Sequence, residues 1–225
     1  MPDTLPAALA RHNIKLKPEQ VADLQQYCEM LWDWNEKLNL TRHTDVETFV
    51  ARDVVDTVEL SRLLGHEEEV LDVGSGGGVP GIILAIIRPD LQVTLCESVA
   101  KKAAVLDQMV EKLALPIPVY ANRAEDLLEE FRFDALVLRA VGPLWKICHW
   151  FEPHWPGIGR VLAIKGPKWV DERAEARHRG LMHPCELRKV HSYPMPGTES
   201  ESVILKMWAK GAPEPGIDAA AETPR

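Results

Sequence analysis

A glycine-rich segment between two apolar runs is the part of this chain best suited to chemistry. Residues 72–81 read Asp-Val-Gly-Ser-Gly-Gly-Gly-Val-Pro-Gly, with apolar runs directly before and after them. This order predicts a strand, a tight turn and a helix with Pro80 in its first turn, where the missing N–H costs nothing. The glycines at 74, 76 and 78 let backbone amides approach a ligand closely. Such a turn at a helix N-terminus typically binds a polar or nucleotide-like group.

Two cofactor patterns fit this turn. Residues 72–78 have the acid-then-glycines form of S-adenosylmethionine-dependent methyltransferases, whereas residues 76–81 match the Gly-x-Gly-x-x-Gly dinucleotide fingerprint. The fingerprint alone is a weak signal. Glu97 ends the next apolar run, near the spacing expected of a carboxylate that binds ribose hydroxyls. The turn therefore predicts a nucleotide-containing cofactor and leaves its class open.

Apolar periodicity predicts the elements that must position the turn. An amphipathic helix is expected over 18–40 and a second helix over 46–64. From residue 69 strands and helices alternate, which predicts a doubly wound parallel sheet. The expected strands are 69–73, 92–96, 117–121, 133–138 and 160–165, the helices between and after them 80–88, 99–114, 124–130, 143–154 and 169–182, and the strands of a final antiparallel hairpin 185–193 and 202–208.

The late hairpin favours one cofactor class. A dehydrogenase usually continues with further parallel units or a second domain, whereas an antiparallel pair after the fifth strand suits a methyltransferase. We predict an α/β fold of the class I S-adenosylmethionine-dependent methyltransferase type, Rossmann-like, with a mostly parallel doubly wound sheet. The expected boundaries are 1–66 for an N-terminal helical extension, 67–210 for the methyltransferase domain and 211–225 for a disordered tail.

Composition places the chain among globular proteins of the cytoplasm. The 225 residues are 46% hydrophobic, and no apolar stretch approaches the roughly 20 residues that span a membrane. The first residues lack the basic and apolar regions of a signal peptide. The four cysteines are widely spaced and form no C-x-x-C pair, so we expect reduced, mostly buried thiols. Histidine pairs stand five residues apart rather than four, and no metal site is expected.

The distribution of charge matters more than its sum. A net charge of −8 argues against a nucleic-acid partner if the charges are spread evenly. However, cations follow four successive predicted strands, at the edge where open α/β sheets bind ligands. This edge could hold phosphates, and such binding would weaken with salt. The cations are Lys101, Lys102, Arg123, Arg139, Lys165 and Lys168, and Trp34 in the extension is a further candidate for stacking on RNA bases.

Several motifs together resemble those of one known family, the bacterial small-subunit ribosomal RNA methyltransferase G family, also called glucose-inhibited division protein B. The resemblance covers about residues 18–208. It implies methyl transfer from S-adenosylmethionine to N7 of a guanine in 16S ribosomal RNA, near the decoding region. The motifs that carry it are Trp34-Asn35-x-x-x-Asn39-Leu40-Thr41, residues 72–81, Arg123-Ala124-Glu125, Arg139-Ala140 and Leu162-Ala163-Ile164-Lys165-Gly166.

The resemblance also implies roles for single residues. Glu97 would hold the cofactor ribose, Ala124 and Glu125 would border the adenine, and Arg139 would lie between cofactor and RNA as a positioning residue. No general base is assigned, because guanine N7 has an available lone pair. The remaining cofactor residues would be Gly74, Gly76, Gly78 and Val79, and the RNA-binding residues Lys101, Lys102, Arg123 and Lys165. The expected partner is 16S ribosomal RNA or the small ribosomal subunit, with no membrane and no obligate protein partner.

Two positions depart from the family pattern. Arg52-Asp53 stands where the family usually has Arg-His, with Asp56 following, and residues 199–202 contain Ser200 where an arginine commonly leads into the late strand. Both departures are expected to remove positive charge near an RNA surface.

Two alternative functions remain, a nicotinamide-dependent oxidoreductase and a non-catalytic RNA-binding module with a vestigial cofactor fold.

Overall fold

A seven-stranded sheet organises the molecule in the computed structural model, which describes residues 4–216. The strand order is β3-β2-β1-β4-β5-β7-β6. The predicted α/β fold with a mostly parallel sheet and a late hairpin is confirmed, and β7 alone runs antiparallel to its neighbours. The strands are β1 (Glu69–Val73), β2 (Gln92–Cys96), β3 (Val119–Tyr120), β4 (Phe133–Arg139), β5 (Ile158–Lys165), β6 (Cys185–Pro194) and β7 (Glu201–Ala209).

Helices cover both faces of the sheet. Successive strand residues point to opposite faces of the sheet. Val70 therefore packs with the N-terminal helices and the helix after β1, whereas Leu71 packs with the helices after β3 and β4. Parallel strands buried on both faces are mostly apolar, and the buried centres of β1 (Val70, Leu71) and β4 (135–138) follow this rule. The helices are α1 (Leu5–Arg11), α2 (Pro18–Asn35), α3 (Val46–Thr48), α4 (Val55–Ser61), α5 (Gly81–Ile87), α6 (Ala100–Lys112), α7 (Ala124–Glu130), α8 (Leu144–Phe151) and α9 (Trp169–His178).

The N-terminal helices differ from the sequence prediction in three ways. Helix α1 was not expected, and α2 ends at Asn35 rather than at residue 40. The Asn35 side-chain oxygen accepts hydrogen bonds from the amides of Leu40 and Thr41, and these bonds hold a turn in place of further helix. The predicted helix over 46–64 is α3 and α4 joined by a π-helical segment, Phe49–Val54. Such segments often occur at functional sites.

Two residues of the segment predicted to be disordered, Glu214 and Pro215, contact the sheet. The Lys206 ammonium, on β7, lies 2.6 Å from a Glu214 carboxylate oxygen and donates to the Pro215 carbonyl at 2.9 Å. The predicted tail from residue 211 therefore packs on β7 at least to Pro215, while residues 217–225 lie outside the described part of the chain.

All four cysteines are free and buried, as predicted. Within residues 4–216, no helix is both long and apolar enough to cross a bilayer.

Candidate active site

The glycine turn connects β1 to α5 and is held against the end of β2. The amides of Gly74 and Ser75 both donate to the Cys96 carbonyl, at 2.8 and 3.1 Å. Gly74 and Gly76 have φ values of +69° and +57°, in the left-handed region that glycine adopts without strain. A Cβ on Gly76 would meet only the Gly74 carbonyl, at 3.7 Å, so this backbone faces open space. The predicted close approach of the backbone to a ligand is possible here.

Asp72, the acid of the motif, serves the turn itself. It is buried, and one of its carboxylate oxygens accepts the Gly81 amide at 3.0 Å, which caps the start of α5. The Ser75 hydroxyl donates to the Asp72 carbonyl at 3.0 Å. Burial raises the pKa of the Asp72 carboxyl to about 7, with the hydrogen bonds from Ser75 and Gly81 opposing it. This acid therefore fixes the geometry of the turn and does not line the cavity beside it.

The raised pKa of Asp72 predicts a pH-dependent stability. The folded state binds this proton more tightly than the unfolded state, so the stabilisation is present at low pH and is lost as pH rises through about 7. We expect Asp72→Asn to gain stability relative to the native chain as pH increases from 5 to 7, by on the order of 1 kcal/mol per pH unit, and the difference to level off above about pH 7. Urea unfolding of both chains between pH 5 and 8 measures the difference in their free energies of unfolding. A difference that stays constant with pH would contradict the prediction.

Glu97 closes the other side of the turn. Its two carboxylate oxygens accept the amides of Gly76 at 2.9 Å and Val99 at 2.8 Å. The side chain is buried, and it lines the cavity that the turn borders. A carboxylate oxygen has a second lone pair after one hydrogen bond. Glu97 is therefore fixed in position while keeping the capacity to accept a hydroxyl hydrogen bond from a ligand.

A cavity of about 720 Å³ lies at the carboxyl ends of β1, β2, β4 and β5. This is the edge at which open α/β sheets bind ligands, and the volume is within the usual range of ligand sites. The predicted residues that line it are Gly74, Gly76, Val79, Glu97, Lys102, Arg139 and Lys165. Those that the structure places outside its lining are Gly78, Lys101, Arg123, Ala124 and Glu125.

Arg139 is held by two acids from the N-terminal helices. Its guanidinium lies 2.7 Å from an oxygen of Asp53 and 2.9 Å from an oxygen of Asp56. The Tyr193 hydroxyl donates to Asp56, and the His43 ring contacts Asp53, each at 2.8 Å. Burial disfavours the charged arginine, but the two acids outweigh burial and raise the pKa of Arg139. The guanidinium is therefore permanently charged and fixed in direction.

These contacts correct the interpretation of Asp53 and Asp56. The sequence suggested that the acids remove positive charge from an RNA surface. In the structure both are buried, 1% and 4% exposed, and they neutralise Arg139 rather than face solvent. The charge of a buried carboxylate is compensated by an arginine beside it, whereas burying either charge alone would cost free energy of folding. Asp53 thus supports Arg139 from within the protein.

Lys165, at the end of β5, is also paired internally. Its ammonium lies 2.7 Å from a Glu172 carboxylate oxygen and donates to the Gly142 carbonyl. The residue is buried and lines the cavity. Its charge is therefore largely neutralised by Glu172. Lys101 and Arg123, in contrast, are exposed at the ends of neighbouring strands.

The N-terminal helices form one wall of the site, which sequence reasoning missed. The Tyr27 hydroxyl donates to the Gly77 carbonyl at 2.9 Å, and Leu31 packs where a Cβ on Gly77 would lie. Residues 40–43 line the cavity. The signal was present in the Asn35 to Thr41 motif, whose asparagine forms the turn that carries these residues. Trp34 packs against the core beneath Lys37 and does not line the cavity.

Comparison with known proteins identifies the family. Residues 20–200 match the family model described as GidB, rRNA small subunit methyltransferase G. The chain belongs to this family. A Ribosomal RNA small subunit methyltransferase G of Rhodopirellula baltica is 56% identical over 188 residues, covering 84% of this chain and 81% of its own. Another methyltransferase G, of Chromobacterium violaceum, is 34% identical over 204 residues, covering 90% and 95%.

Solved structures share the methyltransferase G fold at low sequence identity. M. capricolum TrmK in complex with S-adenosyl-homocysteine has a TM-score of 0.54 and 11% identity, covering 69% of this chain and 68% of its own. A mutant of MtNAS in complex with S-adenosylmethionine has a TM-score of 0.52 and 14% identity, covering 90% and 83%. These likenesses confirm the fold.

Within residues 4–216, no cluster of three or more His, Cys, Asp or Glu side chains could hold a metal ion.

Proposed function

We propose that the protein transfers a methyl group from S-adenosylmethionine to N7 of a guanine in 16S ribosomal RNA. The observation that carries this proposal is that the glycine turn, Glu97 and Arg139 line one and the same cavity. Membership of the methyltransferase G family supports the same reaction. A substrate in the small ribosomal subunit would place the activity in the cytoplasm.

The cofactor would occupy the end of the cavity bordered by β1 and β2. Gly76 leaves room for it, and Glu97 offers a fixed acceptor for ribose hydroxyls. Ala124 and Glu125, at the start of α7, remain candidates for contact with the adenine. When bound, S-adenosylmethionine supplies a methyl group on a positively charged sulfur. The residues of the chain have to hold and orient it.

Gly76 offers a test of this placement. We expect Gly76→Ala to weaken S-adenosylmethionine binding at least tenfold, because its Cβ would enter the cavity and φ of +57° strains alanine by about 1 kcal/mol. Gly180→Ala is a matched control, since Gly180 has a φ of +75° and no atom near its Cβ position. Calorimetric titration measures both. Equal affinities in the two variants would contradict the placement of the cofactor.

The acceptor guanine would enter at the β4 and β5 end. Its N7 lone pair needs no general base, so the chain contributes orientation and exclusion of water. Positioning of this kind can supply roughly 7–11 kcal/mol of a barrier. Arg139 is fixed by Asp53 and Asp56 between the two ends of the cavity, which suits a positioning residue. Lys101, Lys102 and Arg123 have no internal acid partner within residues 4–216 and are candidates for RNA phosphates.

Labelled methyl transfer tests the proposed function. Small ribosomal subunits lacking the modification would be incubated with methyl-labelled cofactor, and the labelled base would be mapped. Label at N7 of one guanine of 16S RNA is expected. Binding of NAD with no affinity for S-adenosylmethionine would indicate an oxidoreductase. RNA binding without label would indicate a binding module.

A further inference from the structure

The charged side chains of the cavity fall into two groups. Five cations and four carboxylates line it, with Arg139 and Lys165 paired to acids of the chain. Within residues 4–216, the other three cations have no ion pair or side-chain hydrogen bond; they are Arg42, Arg52 and Lys102. Arg42 is exposed, while Arg52 and Lys102 are partly buried. Arg52 belongs to the π-helical segment that also carries Asp53.

Arg52 is a partly buried cation without a partner among the described residues. Its Nε is buried with no hydrogen-bond partner, and among residues 4–216 no acceptor bonds the rest of the group. Neighbouring Asp53 does not bond it: one Asp53 oxygen contacts Arg139 and His43, and the other has no hydrogen-bond partner. The Nε of Arg52 is shielded from the cavity, whereas its terminal nitrogens are not among the buried atoms and have no acid partner among residues 4–216. These terminal nitrogens are therefore the donors that a ligand in the cavity would meet.

We propose that Arg52 binds an oxyanion of a ligand held inside the cavity. A guanidinium presents paired donors that match the two oxygens of a carboxylate or a phosphate. Resting on the proposed function, the oxyanion has two sources, the carboxylate of the cofactor's methionyl part and a phosphodiester of the RNA. Arg52 and the glycine turn line the same cavity, so one ligand could contact both. This role separates Arg52 from Arg139, whose charge is neutralised within the protein.

Arg52→Gln removes the charge and keeps a shorter polar side chain, with Arg62→Gln as the matched control. Arg62 is exposed at the end of α4 and pairs with Glu59. Three ligands would be titrated into each chain: S-adenosylmethionine, its decarboxylated analogue, and a short 16S RNA fragment at several salt concentrations. Thermal unfolding checks that the variants are folded. If Arg52→Gln does not fold, Arg52→Lys replaces it, since it keeps the charge and loses the paired donors.

The outcomes distinguish the two sources. If the oxyanion is the cofactor carboxylate, the native chain prefers S-adenosylmethionine over the decarboxylated analogue roughly tenfold or more, and Arg52→Gln abolishes the preference. If it is an RNA phosphate, cofactor affinity is unchanged, RNA affinity falls, and the salt slope decreases by about one. Native affinity for all three ligands in the Arg52 variant would overturn the proposal. The cofactor titrations need no methyl transfer, so they remain decisive if the RNA substrate is wrong.

Discussion

Arg139→Ala is expected to abolish methyl transfer and to destabilise the protein by about 3–5 kcal/mol. The substitution leaves Asp53 and Asp56 buried beside each other without their cation. Breaking a buried ion pair in this way costs about that much, because the remaining charge is uncompensated. Urea unfolding and labelled methyl transfer measure the two effects.

A second variant separates lost activity from lost stability. Combining Arg139→Met with Asp53→Asn and Asp56→Asn removes the arginine and both charges together. Neutral replacements of a complete buried ion cluster are often tolerated, so most of the stability should return. Methyl transfer should remain at background, because nothing then orients the ligands at the end of β4. Native activity in the triple variant would show that Arg139 serves stability alone.

Gly81→Ala should have the largest effect on stability among the glycines of the turn. Its Cβ would lie 2.3 Å from a Leu95 methyl group and 2.6 Å from the Asp72 carboxylate oxygen. Alanine favours a helix over glycine by about 1 kcal/mol, but overpacking of this kind costs up to about 3 kcal/mol or more. The clash therefore outweighs the helix propensity, and the free energy of unfolding should fall.

Gly166→Ala is the control for this prediction. Gly166 also borders the cavity, and no atom lies within 4 Å of its Cβ position. A substitution there should change the free energy of unfolding by less than about 0.5 kcal/mol. Denaturant unfolding compares both variants with the native chain. Equal stabilities of the Gly81 and Gly166 variants would mean that the start of α5 can shift without cost.

Local sequence patterns predicted most of the sheet and the position of the glycine turn and Glu97 beside the cavity. The apolar runs before the glycine turn and before Glu97 became β1 and β2 with the expected bounds. Glu97 reached the turn because parallel neighbours end at the same edge of the sheet. These features depend on periodicity and on adjacent strands, and both can be read from nearby residues.

Features that depend on contacts between distant residues, or that interrupt a regular helix, were not predicted from the sequence. Asp53 and Arg139 are 86 positions apart, and nothing local indicates that this acid is buried beside that arginine. The π-helical segment interrupts the 3.6-residue periodicity by which a helix is recognised. The end of α2 was missed because Asn35 bonds backbone amides beyond it, and a side-chain contact of this kind leaves no apolar signal.

The position of β7 has a consequence for the order of events during synthesis. Among residues 4–216, strand β6 lies at the edge of the sheet and pairs only with β7, which follows it and is the last strand in chain order. Tyr193, at the end of β6, donates the hydrogen bond that completes the support of Asp56 and so of Arg139. A nascent chain can therefore form β1 to β5 and the glycine turn while the arginine still lacks its full support. Translation has to pass the end of β7 before β6 can pair in the sheet, so Arg139 gains the support of Tyr193 only after that strand has been made.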